Sequence, residues 1–247
     1  FATRACRITS KSKKSLPHSG NYIKILADLD AASLGEIIPH FHDTKKRYND
    51  FLTACEIDKI GRLEKCLKEA QVINDLSSYY GLIVDGIEEG SVKLHVTHND
   101  PKINNVLFDK DTHKVKCVID LDTIMPGSVL YDFGDAHRSL FIGSHEDDKN
   151  LDNIHVDLES YRSYLKGYWK EAKEFLTPRE IELLPMAPFL LSIECGMRFL
   201  EDYLKGDVYF HTDYPDHNLI RARTQNRLTQ IILSKQNEME KITKEII

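Results

Sequence analysis

Between His98 and Asn105 the chain places a histidine, an aspartate two residues on, and an asparagine five residues after that, followed at once by the apolar run Val106-Leu107-Phe108. An Asp and an Asn at this spacing on one loop suit phosphoryl transfer. Asp100 would orient an acceptor hydroxyl and take its proton as the bond to phosphorus forms, and the side-chain oxygen of Asn105 would ligate magnesium. A second carboxylate follows the next apolar run, in Val118-Ile119-Asp120-Leu121-Asp122. Asp120 there stands where such a site needs the ligand that bridges metal and phosphates, and hard oxygens on a loop suit magnesium. Asp122 is either a second metal neighbour or an Asp at a strand end. Asp109 and Asp111 read as turn residues. A metal hydrolase built on His95, His98 and Asp100 is disfavoured, because residues three apart on a strand face opposite sides.

The elements that must position these groups change period along the chain. Tyr22, Ile25, Leu26 and Leu29 carry helical spacing. In 44–75, Tyr48, Phe51, Leu52, Cys55, Ile60, Leu63 and Leu67 recur three or four apart, as a core-facing helix requires. Residues 76–89 read as a further helix, ended by Gly90. Val92, Leu94 and Val96 then alternate with polar residues, and 106–108 and 115–119 are two more strand-like runs joined by a turn. Helices return over 158–175, 178–204 and 219–247, the second opened by Thr177 as N-cap with Pro178 behind it. The last carries enough apolar residues to pack on the domain. The expected fold is α+β and mostly helical, with a small β insert carrying the catalytic loop.

Composition narrows the function. The chain has 247 residues, 41% hydrophobic, and a net charge of −6, which disfavours a general nucleic-acid binder. No apolar run approaches the roughly 18 residues of a membrane span. Five scattered cysteines, none in a CxxC pair, argue against a zinc ribbon or disulfide framework and fit a cytoplasmic setting. Residues 1–20 carry basic but no acidic residues and are rich in Ser and Thr, which reads as a flexible tail or linker or as the composition of a transit peptide.

The runs VTHNDPKINNVLFD, VIDLDTIMPGSVLYDFGDAHR, LTPREIELLP and ECGMRFLEDYLKGDVYF, the last followed by HNLIRARTQ, resemble the C-terminal lobe of the aminoglycoside phosphotransferase and choline kinase superfamily. Within it the resemblance is closest to N-acetylhexosamine 1-kinases and spans about 21–247. It implies a protein-kinase-like lobe with Asp100 as catalytic base and Asn105 and Asp120 as magnesium and nucleotide ligands. His98 would orient the loop rather than react, and Asp132 would cap the following helix and brace that loop. It further implies that Arg198 and Tyr209 line a sugar pocket. Helix spacing alone leaves another reading of Arg198 open, an ion pair with Glu194, Glu201 or Asp202. Ser139 departs from the resemblance, since an aromatic residue usually stands there to cover the sugar, and this leaves the pocket more open.

A kinase of this type also needs a nucleotide-binding lobe with a Gly-rich hairpin and a strand lysine. Neither precedes the catalytic segment, so an N-terminal lobe of roughly a hundred residues, a small domain's worth, is expected to be missing. The expected activity is transfer of the γ-phosphate of ATP, with Mg2+, to the anomeric hydroxyl of N-acetylglucosamine or N-acetylgalactosamine. The alternatives are a kinase for another small alcohol and a lone lobe that binds a sugar or a protein without turnover. Choline is disfavoured, because Trp169 is the single tryptophan and an aromatic cage is wanted. A bare lobe-facing surface would expose apolar residues and favour self-association.

Overall fold

The computed structural model describes residues 24–26, 28–109, 111–112, 115–141 and 145–247. The basic tail and the helical spacing from Tyr22 lie outside or at the margin of these residues. The remainder folds around one helix. Helix α7 (Ala187–Lys205) carries Phe189, Leu191, Ile193, Met197, Leu200 and Tyr203, all buried. A helix this apolar over most of its circumference is a core helix, with Arg198, Glu201 and Lys205 along its one open side. Three others cover it: α1 (Thr44–Ile57), α4 (Val129–Phe141) and α8 (His217–Ser234). The α4–α7 crossing is close because Gly134 lacks a Cβ, which would stand 2.5 Å from the Ala187 carbonyl oxygen. Helix α5 (Leu158–Ala172) packs on α9 (Gln236–Ile246), which buries Met239 and Ile242 as the sequence leads one to expect.

Several expected helices are broken. The 44–75 stretch is interrupted after α1, where Asp58 is left-handed (φ 37°) and its carboxylate accepts the N–H of Arg62 and Leu63. The chain resumes in a 3₁₀ turn (Leu63–Cys66) and α2 (Leu67–Asp75). Residues 76–89 form a 3₁₀ turn (Ser77–Tyr79) and a short α3 (Val84–Glu88), ending at Gly90 with φ 77°. The 178–204 helix is two: α6 (Pro178–Leu183), opened by the Thr177–Glu180 capping box, and α7. The 219–247 helix breaks at Lys235, between α8 and α9.

The β insert consists of two antiparallel pairs among the described residues. Strand β1 (His95–Thr97), which begins later than the Val92–Val96 alternation suggests, pairs with β4 (Met125–Gly127). Strand β2 (Val106–Phe108) pairs with β3 (Val115–Val118). Asp109 closes their turn: its carboxylate accepts the Thr112 N–H at 2.8 Å and meets Lys116 at 2.9 Å. Strand β4 was not expected, because Pro126 breaks any strand-like run; it fits by pairing at a sheet edge.

Candidate active site

The segment after β1 is held from several sides. Asn99 is left-handed (φ 63°), a conformation asparagine adopts more readily than most residues. Its amide nitrogen donates to the carbonyls of Thr97, Thr123 and Met125, and the Thr123 hydroxyl donates to the His98 carbonyl at 2.6 Å. Gly127 makes room for this packing, since a Cβ there would collide with the side chains of Thr97 and Asn99. From α4, the two carboxylate oxygens of Asp132 accept the N–H of His98 at 2.9 Å and of Asn99 at 2.7 Å. Burial pushes the Asp132 carboxyl up to about 6, against those two amides and the nearby His98 and His42, which pull it down.

His98 is fully buried. Its Nδ1 accepts the N–H of Asp100 at 3.2 Å, and its Nε2 donates to the Ile119 carbonyl at 3.1 Å. That arrangement ties the Asp100 backbone to the segment carrying Asp120. Asp100 meets two donors, Lys102 Nζ at 2.7 Å and Asn105 Nδ2 at 3.2 Å, both on Oδ2. Asn105 also donates to the Asp100 carbonyl at 2.8 Å, so its amide oxygen is turned away from Asp100. The 3₁₀ turn Ile103–Asn105 is fixed by the Ser139 hydroxyl, which accepts the Ile103 N–H at 3.0 Å, and by the Asn105 carbonyl, which accepts the Ile119 N–H at 2.9 Å. Ser139 therefore supports the loop, a task the sequence does not announce.

Asp120 is exposed and left-handed (φ 64°), a costly conformation for a residue with a Cβ and one that clusters at functional sites. Burial lowers the Lys102 ammonium, but the bond to Asp100 and the charges of Asp100, Asp135 and Asp120 outweigh that and raise it. Lys102 thus sits in the joint field of both expected reacting carboxylates. Its only signal in the sequence is that it is a cation two residues after Asp100. Among the described residues no three His, Cys, Asp or Glu side chains gather at metal-binding separation. The donors on offer are the Asn105 amide oxygen and the Asp120 carboxylate. Two hard oxygens fit magnesium, which completes its shell with water and phosphate oxygens.

Arg198 and Tyr209 do come together, at a second place. The guanidinium lies 5.0 Å from the Phe41 ring, 5.5 Å from Phe210 and 6.0 Å from Tyr209, in a cleft of about 310 Å³. The ion-pair alternative for Arg198 is not what the chain forms. Glu194 bonds His42 and Thr44; Glu201 bonds Lys205; Asp202 accepts the N–H of Val208, Tyr209 and Phe210 at 2.9–3.0 Å. Asp202 thereby shapes the loop that carries Tyr209, which is itself largely exposed. Asp100 does not line this cleft; the connection runs through Phe41 and its neighbour His42, whose ring bonds the Asn99 carbonyl at 2.7 Å. Phe41, Phe210 and His42 carried no signal in the sequence beyond being aromatic.

Three solved structures are similar to this chain: aminoglycoside phosphotransferase APH(2'')-Ib with ADP bound (16% identity, TM-score 0.47), APH(2'')-IIa in complex with gentamicin (15%, 0.45), and choline kinase from Cryptosporidium parvum (12%, 0.44). The matches cover 90%, 94% and 96% of this chain but only 67%, 64% and 67% of those chains, so it spans about two thirds of their length. Independently of them, residues 18–175, well over half of the chain, match the model of the phosphotransferase enzyme family, APH. This chain belongs to that phosphotransferase family.

Proposed function

We propose that the chain is the catalytic and acceptor-binding lobe, 21–247, of an ATP-dependent kinase that phosphorylates the anomeric hydroxyl of an N-acetylhexosamine. The observation that carries the reading is the Asp100 carboxylate, clasped by Lys102 and Asn105 on a loop that Asp132 and His98 hold rigid. Asp100 accepts the proton of the acceptor hydroxyl as its oxygen bonds to the γ-phosphorus, and ADP leaves with the bridging oxygen. Lys102 places positive charge beside the reacting oxygens, where negative charge gathers in transfer. The Asn105 oxygen and Asp120 would hold magnesium, which when bound would neutralise the phosphate charge. His98 accepts the Asp100 N–H at Nδ1 and donates to the Ile119 carbonyl at Nε2, and so orients Asp100. Arg198 offers its donors, and Tyr209 and Phe210 their faces, to a polyhydroxylated ring and its amide. This reading requires a nucleotide-binding lobe in addition to 21–247, and its setting is cytoplasmic.

Another small alcohol as acceptor is the second reading, and Ser139 favours it. Its hydroxyl is spent on the Ile103 N–H, so no ring stands there to cover a sugar. A coupled ADP-release assay with ATP, magnesium and a panel of N-acetylglucosamine, N-acetylgalactosamine, aminoglycosides and choline decides between them. Turnover with a hexosamine, reduced about 10²–10⁴-fold in Asp100→Asn, is the expected result. Turnover only with another alcohol supports the second reading. No turnover in folded protein that carries the nucleotide lobe overturns both in favour of a binding lobe.

A further inference from the structure

A buried ionisable pair lies against the residue that precedes Asp100. His42 Nδ1 stands 2.7 Å from Glu194 Oε1, and His42 Nε2 stands 2.7 Å from the carbonyl oxygen of Asn99. A carbonyl oxygen can only accept, so Nε2 carries a proton. Glu194 Oε2 accepts the Thr44 hydroxyl at 2.8 Å, which favours the ionised carboxylate and leaves Nδ1 as the donor to Oε1. A ring that donates at both nitrogens is an imidazolium. Both side chains are almost completely buried, where a charge persists only if it is paired and hydrogen-bonded. Every polar atom of this pair has such a partner. The cluster joins the segment before α1, the middle of α7 and the residue immediately preceding Asp100.

We propose that His42, held as an imidazolium by Glu194, is a positioning residue that fixes the Asn99 carbonyl and so the backbone presenting Asp100. The proposal deepens the kinase reading and rests on it for the role of Asp100. The same two residues also align the acceptor cleft. Phe41, next in chain, stacks edge-on against the His42 ring at 4.6 Å and lies under Arg198, while Glu194 sits one helical turn before Arg198 on α7. The pair therefore sets the aromatic floor of the cleft and the carboxylate of the loop in one frame.

The groups facing His42 set its titration. From α7 comes Glu194, itself near Arg198; from α4 come Asp132 and Asp135, and the Tyr131 ring at 4.9 Å; Asp43 adjoins it and caps α1. Burial pulls the imidazole down, but the charge and bond of Glu194, the Asn99 carbonyl and Asp135 outweigh it and raise the ring above the ordinary histidine range. Burial likewise raises Glu194, and His42, Thr44 and Arg198 overcome that and hold it low. A raised histidine contributes stability that is complete below the ordinary value near 6.5 and is lost as pH rises through the folded value. The frame should thus loosen on the alkaline side.

The primary test is a long-range 1H–15N correlation spectrum of the 15N-labelled chain at pH 7.5, with His42 assigned by His42→Gln. Two protonated ring nitrogens that persist above the ordinary histidine range, and a neutral ring in Glu194→Gln, are expected. A neutral, singly protonated His42 in the unsubstituted chain overturns the proposal, and this readout needs no turnover. Positioning is read by hydrogen exchange: Glu194→Gln should speed exchange of the Asn99 and Asp100 amides about tenfold or more while the α7–α8 amides stay protected. Unchanged exchange there overturns it. With any acceptor that gives turnover, His42→Gln should lower kcat about tenfold or more with KM for ATP unchanged, and Glu194→Gln should move the alkaline limb of the kcat profile to lower pH. If no acceptor gives turnover, the kinase reading fails while the spectrum and the exchange still decide the pair.

Discussion

The helical body and the β insert are ordered by different forces. In α7, Phe189, Ile193, Met197 and Leu200 are 0% exposed, and the neighbouring helices close around them. In β2 every residue is only half-buried, and in β3 Lys116 and Cys117 face solvent. Two-stranded ribbons with so little apolar cover are marginal by themselves. The β1–β4 pair buries Val96 and Met125 against the body, whereas the β2–β3 ribbon and the loop before it depend on hydrogen bonds that reach into the body: Asp132 and Ser139 from α4, and the His42–Glu194 pair from α7 and the segment before α1. The lesson is that the reacting groups sit on weak local structure whose rigidity is borrowed. That division makes global stability and loop order separable by mutation.

The largest expected separation comes from the body. Leu200→Ala would leave a cavity in the fully enclosed centre of α7 and should cost about 2–5 kcal/mol, read as a lower denaturant midpoint with an unchanged slope. Exchange protection should fall everywhere together, because the core opens as one unit. A loss confined to the insert would break the comparison. Asp132→Asn should do the reverse. One of its two acceptor oxygens becomes an NH2 group facing a backbone N–H, so one buried amide of His98 or Asn99 loses its partner, at about 1–3 kcal/mol. Protection at residues 98 and 99 should drop far more than in α7 and α8.

Acid sharpens the comparison from the side of the body. Burial holds the His137 imidazole down to about 3, against the Phe133 and Tyr161 backbone bonds, which raise it. A depressed histidine stabilises the fold fully above the ordinary value near 6.5, and that contribution is lost as pH falls from there toward about 3. The slope approaches about 1.4 kcal/mol per pH unit for one proton. Unfolding curves from pH 7 to 4 should therefore show falling stability, and His137→Gln should flatten the slope. An unchanged slope would place the acid-sensitive group elsewhere.

How much of this was legible in sequence follows the same division. The Asp100, Asn105 and Asp120 pattern is local, since the groups share one short hairpin, and the structure does bring Asp100 and Asn105 into contact. Helical periodicity was legible too, but its breaks were not. Asp58 adopts a left-handed cap, and the turn between α6 and α7 and the break at Lys235 fall inside unbroken apolar spacing. The bracing of the loop by Asp132 followed from the family resemblance, not from spacing. His42 was illegible because its partners lie 57 and 152 residues away. Arg198 shows the limit most plainly. Spacing offered three acidic partners on its own helix, and each is engaged by a nearer donor, which leaves the guanidinium to the rings of Phe41, Tyr209 and Phe210.

The smallest effect tests the borrowed rigidity at one bond. Ser139 Oγ accepts the Ile103 N–H at 3.0 Å and donates to the Ala136 carbonyl at 2.9 Å, so it is both a side chain of α4 and a clamp on the 3₁₀ turn that carries Asn105. Ser139→Ala removes the clamp and leaves the helix otherwise intact, since alanine is the better helix former by a few tenths of a kcal/mol. The lost bond should cost about 1 kcal/mol, and the helix gain offsets part of it, so the midpoint of unfolding should barely move. Exchange at the Ile103 and Asn105 amides should nevertheless rise several-fold, because the turn has lost its tie to the body. Equal protection in the variant would mean that the Asn105–Ile119 bond alone holds the turn, and that the insert is more self-sufficient than its exposure implies.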